Sequence, residues 1–517
     1  MREEVKAMNC CSRISILMAV VLLAFSASTV SAQNLRLSGA NYGEYWVFYQ
    51  NEEGDINYKE HLEDRLKMGL SYGDITLRGT FFFSDPSLPN PKKLSYFDYI
   101  VQYSKDPVSI LYGRFNKTFG RGLVLNQFVD EDFKIDKSLF GIQAGINYFN
   151  TQLTLLSGKP RNVFFEENTY SIKNADDTTA QIRGVDIETK IIPRMYIGGR
   201  YVRINRAIDI IPEAFTELYG GNVGFRTGPF DAYLEYAQQL GTYPGLGGRL
   251  KGHGILFSSS LSLTGFGMSF QAMEYDTIGF PYNKTYRYNE PVTPIKTGIS
   301  VNRGADEIGF GASLLYSPFD FITIELDNNK ISTHDTTLSK LEQIFVTNET
   351  MDAVIEQAAK IITYPSTEFE VTATIEKIVK QGIEVPIEKK TETKPHLEIS
   401  YNFGSFFLGS EYGIEFVTSD TSDYHDQALA VSIGKPEFFV FTLRYEMRNR
   451  APQWLVDLRK IGSETSWPLA ELSLDLTTRH NLRIRVGAEK GGLVCTGGVC
   501  RFEEPFKGIK LVFTSIL

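Results

Sequence analysis

The sequence predicts an antiparallel β-barrel that spans a membrane. Three observations carry the prediction: an export-type apolar N-terminus, period-two alternation along the chain, and very short turns that alternate with longer polar connections. The 517 residues are 42% hydrophobic, 22% charged and 13% aromatic, which excludes disorder, collagen-like repeats and a bundle of apolar helices. Tyr (27) and Phe (36) far outnumber Trp (3), and 44 Gly against 20 Pro suit many strands closed by tight turns.

Residues 14–25 form an apolar run preceded by Arg13 and followed by Val30-Ser31-Ala32, the small-residue pattern of signal-peptidase cleavage. Residues 1–32 are read as a signal peptide and 33–517 as the barrel. Glu3 and Glu4 are unusual in a basic leader, which leaves Met8 as an alternative start. Cys10 and Cys11 precede the apolar run, whereas a lipidated cysteine would follow it. The run is also shorter than the roughly 20 apolar residues of a membrane anchor. Residues 1–32 hold three basic and two acidic side chains, so 50 basic and 60 acidic remain, a net charge of −10 that argues against a nucleic-acid partner. No later apolar stretch has helix-spanning length, so any crossing is made by strands.

The clearest strand pair is Leu66, Met68, Leu70 and Tyr72, then Gly73-Asp74, then Ile75, Leu77, Gly79, Phe81 and Phe83, with small or polar residues between. The pattern returns around Ile192-Pro193, Thr227-Gly228-Pro229, Thr264-Gly265, Ser317-Pro318, Gly404-Ser405, Lys435-Pro436 and Arg479-His480, with weaker turns at Lys105-Asp106-Pro107 and Phe149-Asn150-Thr151. Two strands for each of these ten turns, plus one at each end, give 22 strands, within a range of 18–24. Short periplasmic turns opposite long external loops are the asymmetry of an up-and-down outer-membrane barrel, whose strands need about 9–11 residues to cross. Tyr45, Trp46, Phe48, Tyr96, Phe97, Phe438 and Phe439, near strand ends, are expected to form interfacial belts. Residues 331–395 read as one long external loop. Met351, Val354, Ile355, Ala358, Ile361 and Ile362 recur in it at helical spacing behind Thr347 or Asn348, and residues 368–378 add a short strand.

The last residues alternate as Ile509, Leu511 and Phe513 up to Leu517. This strand resembles the assembly signal read by the bacterial barrel-assembly machinery, with Leu in place of the usual terminal Phe. Three further stretches carry a family resemblance: Thr118–Leu125 (TFGRGLVL), Asp136–Gly141 (DKSLFG) and Gly491–Arg501 (GGLVCTGGVCR). Together they resemble a domain-of-unknown-function family of porin-like outer-membrane barrels of Gram-negative bacteria. The resemblance implies fold and location and transfers no catalytic or ligand-binding residue.

Gly69-Leu70-Ser71-Tyr72-Gly73 matches the G-x-S-x-G elbow, which needs a strand, a sharp turn and a helix; here a second strand follows. The six histidines are scattered without a Ser or Asp partner motif, so no enzyme and no cofactor is expected. Cys495 and Cys500 flank Thr-Gly-Gly-Val in the last external loop. A disulfide there competes with two free thiols, and zinc would want four ligands. The acidic groups Asp130-Glu131-Asp132 with Asp136, and Asp420, Asp423, His425 and Asp426, read as solvated loop charge or as calcium bridges to lipopolysaccharide phosphate.

The glycines around Arg121 permit a loop that folds into the barrel mouth and presents Arg121 to solutes, with a tight surface turn as the alternative. On the inward phase of their alternations lie Arg36, Arg65, Lys67, Arg78, Arg483, Arg485 and Lys510, which closure gathers into one basic wall. Asp231, Glu235, Glu325, Glu398, Glu411 and Glu415 take the same phase across the lumen. A transverse field would follow, unless opposite charges neutralise one another locally. The expected function is a porin-like channel for small polar solutes. The rival is a non-enzymatic surface or secretion-accessory barrel whose loops bind partners. Lipid and lipopolysaccharide are the expected surroundings; solute and oligomeric state stay open.

Overall fold

The alternation becomes a sheet that closes on itself. A computed structural model describes residues 35–52, 55–85, 94–130, 135–160, 162–166, 169–173, 180–208, 211–242, 249–278, 289, 292–296, 301, 306–384, 387–420, 423–450, 465–496, 499–503 and 506–516. The signal-peptide reading of 1–32 falls outside them.

Twenty-four strands, from Leu35–Glu52 to Phe506–Ile516, pair antiparallel with their neighbours in sequence, and the last pairs with the first from Ala40↔Ile516 to Phe48↔Gly508. This is a closed up-and-down barrel. Every expected short turn joins two barrel strands, the one read at Ser317-Pro318 forming instead at Asp320-Phe321, since Asp306–Phe319 runs on as strand. An eleventh, at Thr367-Glu368, joins Ala353–Ser366 to Phe369–Glu384 and raises 22 strands to 24. Longer connections gather at the other end, the longest described break in the barrel running from Asp276 to Asp306.

The helix expected over Met351–Ile362 is therefore a strand, and the 331–395 loop shrinks to the connection between Ser332 and Ala353. A single helical turn forms there instead, Lys340–Phe345, where Ser339 and Glu342 make a reciprocal capping box. It lies on the outer wall: the Phe345 ring packs 5.1 Å from Phe310, and the Lys330 ammonium donates to the Gln343 and Val346 carbonyls, the latter at 2.6 Å.

Leu37, Met68, Leu70 and Leu77 are exposed on the outer wall, while their polar neighbours take the opposite phase. An aromatic girdle rings the short-turn end: Tyr72, Tyr103, Tyr148, Phe149, Phe319 and Phe438 are exposed there. Toward the other end the apolar band stops above Tyr201 and Tyr219, where Arg203 pairs with Glu217 at 3.1 Å on the outer face. The belt expectation needs correcting for two rings. Trp46 lies beneath Lys510 Nζ, 4.0 Å from the ring centroid, and Tyr96 stacks on Phe82 at 4.8 Å, both on the inward phase. Within a strand successive residues face opposite ways, so Trp46 beside Tyr45 and Tyr96 beside Phe97 turn inward. Phe97 and Phe438 are exposed outside, Tyr45 and Phe439 take the outward phase, and the Phe48 side chain lies outside those described.

Candidate functional site: an inward hairpin on the lumen wall

After the strand Val108–Phe115 the chain turns into the lumen instead of outward. Lys117–Phe119 pairs with Leu125–Gln127, and the tip is made by Gly120 and Gly122 at φ +56° and +95°, a region that favours glycine. Phe119, Leu123, Val124 and Leu125 are completely buried against Ile182, Val202, Ile204, Leu218, Ala237 and Leu256, which project from successive wall strands. Burial of such side chains stabilises by about 1.5–3 kcal/mol each. The wall makes room with glycines: a Cβ on Gly184 would stand 2.8 Å from the Phe119 ring, and one on Gly220 3.1 Å from Val124.

A polar latch sits under the tip. Arg200 Nη1 meets Glu235 Oε1 at 2.5 Å, and Arg200 Nη2 donates to Asn222 Oδ1. Arg200 Nε approaches Asp186 at 3.2 Å as an ion pair that lacks hydrogen-bond alignment. Glu235 is fully buried, and its Oε2 accepts from the Arg121 backbone N–H at 2.9 Å and from Tyr233 Oη at 2.7 Å. A Cβ on Gly120 would fall 1.5 Å from Arg200 Nη1. Asn289 and residues 292–296 make a second inward stretch: Asn289 Nδ2 donates to the Leu123 carbonyl at 2.8 Å and Tyr275 Oη to the Val292 carbonyl at 2.8 Å. Lys296 Nζ pairs with Asp327 at 2.6 Å.

The expected pore charges all take the inward phase, yet they do not separate into two walls. Arg485 pairs with Glu471 at 2.5 Å and Glu489 at 2.9 Å, Arg483 with Glu471 at 3.6 Å, Lys510 with Glu44 at 3.4 Å and Arg65 with Glu63 at 3.1 Å. Arg78 donates to Gln102 at 2.7 Å. Arg36 and Lys67 face inward opposite Ser71 and Ala40 in the strand register. Across the lumen, Asp231 pairs with Arg226 at 2.8 Å, Glu235 with Arg200, and Glu325 with Lys360 at 3.8 Å. Glu415 meets Lys394 at 3.3 Å and Lys490 at 3.8 Å, while Glu398 and Glu411 stand opposite each other. Carboxylates thus interrupt the basic wall at Arg65, Arg483, Arg485 and Lys510, because register sets residues of neighbouring strands side by side.

Arg121 differs. Its backbone N–H takes a Glu235 oxygen, and its guanidinium rests 4.5 Å from the Tyr233 ring centroid, without a carboxylate in salt-bridge reach among the described residues. Sequence reading found Arg121 and its glycines. It missed Arg200, Asn289 and the wall glycines, whose signal is a small residue on an otherwise bulky or polar inward phase.

Ser71 ends a strand and shares a 3.1 Å hydrogen bond with Thr76 of the next one, so no nucleophile elbow forms. Cys495 and Cys500 face each other in the hairpin Gly492–Thr496/Val499–Glu503; their side chains lie outside those described. Asp426 is held by Arg448 at 2.6 Å and by Lys490, and Asp420 accepts from the Lys389 N–H at 2.7 Å. In the first acidic group Asp136 accepts from the Ser138 N–H at 2.9 Å, and the side chains of residues 130–132 lie outside those described. Among the described residues no three metal-ligating side chains converge.

Residues 13–294, more than half of the chain, match the model of a family of unknown function, DUF6029. The chain belongs to this family. The match includes the inward hairpin and its latch. No curated protein matches the DUF6029 chain in sequence. Its fold is similar to the Escherichia coli P pilus tip assembly intermediate PapC-PapD-PapK-PapG, at TM-score 0.51 and 9% identity over 94% of this chain and 61% of that one. The P pilus usher (PapC) translocation pore gives 0.47 and 9%, covering 93% and 99%. The outer membrane protein opdK of Pseudomonas aeruginosa gives 0.37 and 8%, covering 80% and 99%. At such identities the likeness concerns the fold, that of outer-membrane β-barrels.

Proposed function

We propose that this protein is an outer-membrane channel of a Gram-negative bacterium that passes small polar solutes, with the short turns in the periplasm. The carrying observation is the pinned hairpin 117–127, which fills part of the lumen and leaves Arg121 on its face. Twenty-four strands about 4.8 Å apart, tilted about 40°, enclose a barrel about 48 Å across, wide enough to leak unless something occupies it. Inward elements packed on the wall occupy part of that bore, and the charged side chains on the inward phase keep it wet. In planar bilayers the purified full chain should give discrete conductance steps. Their absence in correctly folded protein would defeat the channel reading.

A second reading, a barrel that works with partner proteins, draws on the likeness to the pilus assembly intermediate. A folded, non-conducting barrel would favour it.

The facing register of Cys495 and Cys500 supports a disulfide that staples the last external hairpin in exported protein. Alkylation without reductant, followed by mass spectrometry, should leave both cysteines unmodified. Two alkylated thiols per chain would contradict the staple.

A further inference from the structure

Between the inward hairpin and the second inward stretch the wall sinks into a recess of about 290 Å³. Its floor is two rows of side chains that the register sets level across neighbouring strands. In one row Ser260, Ser269 and Ser313 follow one another, with Asp231 at one end and Asp327 at the other. In the next, Tyr233, Ser258, Gln271, Gly311 and Asn329 do the same. Strands stand about 4.8 Å apart, so the three serines span about 10 Å, a length comparable to a sugar ring and its substituents, with Ser258 and Gln271 beside them and open space at Gly311.

The two ends carry charge of different availability. Lys296 is committed to Asp327 and Asp231 to Arg226, whereas the Arg121 guanidinium, steadied on Tyr233, faces the recess unpaired among the described residues. The Gln271 amide nitrogen is buried in the floor without a hydrogen-bond partner among the described residues. A buried donor left alone is unfavourable, and a bound acceptor would satisfy it. One uncompensated planar cation matches one carboxylate, and a floor of hydroxyls and amides matches hydroxyls.

We propose that this recess is a solute-binding site for a small polyhydroxylated carboxylate of sugar-acid size, with Arg121 holding the carboxylate and the serine rows with Gln271 holding the hydroxyls. The site rests on the channel reading for its purpose but not for its existence, so binding and conduction are measured separately. Calorimetry on the detergent-solubilised full chain uses gluconate as probe, with glucose and acetate as halves of its chemistry. Gluconate should bind at least tenfold more tightly than either half. R121Q should weaken gluconate about tenfold and leave glucose unchanged. The triple variant S260A/S269A/S313A should weaken gluconate and leave acetate unchanged. Heat-modified gel migration confirms that each variant is folded. Equal binding of acetate and gluconate, undiminished binding in R121Q, or no gluconate binding to folded wild type would overturn the site. Binding without conductance would sustain the site and remove the channel, and conductance without binding would do the reverse.

Discussion

Gly120→Val should detach the hairpin from the wall and replace steady single-channel conductance with fluctuating levels. At φ +56° a β-branched residue is a genuine outlier, and its Cβ would occupy the place of the Arg200 guanidinium. The tip cannot keep the Glu235 hydrogen bond and accommodate that atom together, so the hairpin must lift. Once it lifts, Phe119, Leu123, Val124 and Leu125 leave their contacts with the wall and the hairpin no longer holds one position in the bore. The surrounding wall is a closed hydrogen-bonded sheet that does not need the hairpin to remain a barrel. Replacing 117–127 by a short Gly-Ser bridge is the companion variant, free of steric conflict. Wild-type conductance in both would show that the hairpin is not the constriction.

The second large effect concerns Arg200. Arg200→Ala leaves a fully buried Glu235 without its cation, a loss on the order of 3–5 kcal/mol in buried ion pairs. The denaturant midpoint of barrel unfolding in lipid vesicles should fall accordingly. The double variant R200M/E235M should recover much of it, since removing both charges also removes the burial penalty. A single variant with an unchanged midpoint would mean that the latch adds no stability.

The fold could be read because lipid outside and water inside impose alternation at every crossing. Where the inside is not water, the reading fails. Val354 and Ile362 take the inward phase and Ile355 and Ile361 the outward one, so the strand Ala353–Ser366 puts β-branched apolar residues on both faces, with Glu356 and Lys360 between them, and its spacing imitates a helix. The turn Thr367-Glu368 was hidden for the same reason. The inward phase of Arg485 or Glu415 follows from local sequence, but their partners Glu471 and Lys394 follow only from register. Arg121 was visible through its flanking glycines. Glu235 was visible only as an inward charge, because its bond to the Arg121 N–H crosses a hundred residues of chain.

The pairing of Leu35–Glu52 with Phe506–Ile516 has a kinetic meaning. Every other neighbouring pair of barrel strands is also adjacent in the order of synthesis and can form as soon as its turn exists. The seam alone joins the two extremes of the chain, and loop closure over nearly the whole length makes it the slowest contact to find. Until it forms, two unpaired strand edges stay exposed, each able to recruit a foreign strand. The longer that open sheet lives, the more chances its edges have to recruit a foreign strand. Shielding of the two edges while the last strand arrives is the step at which assembly succeeds or aggregates.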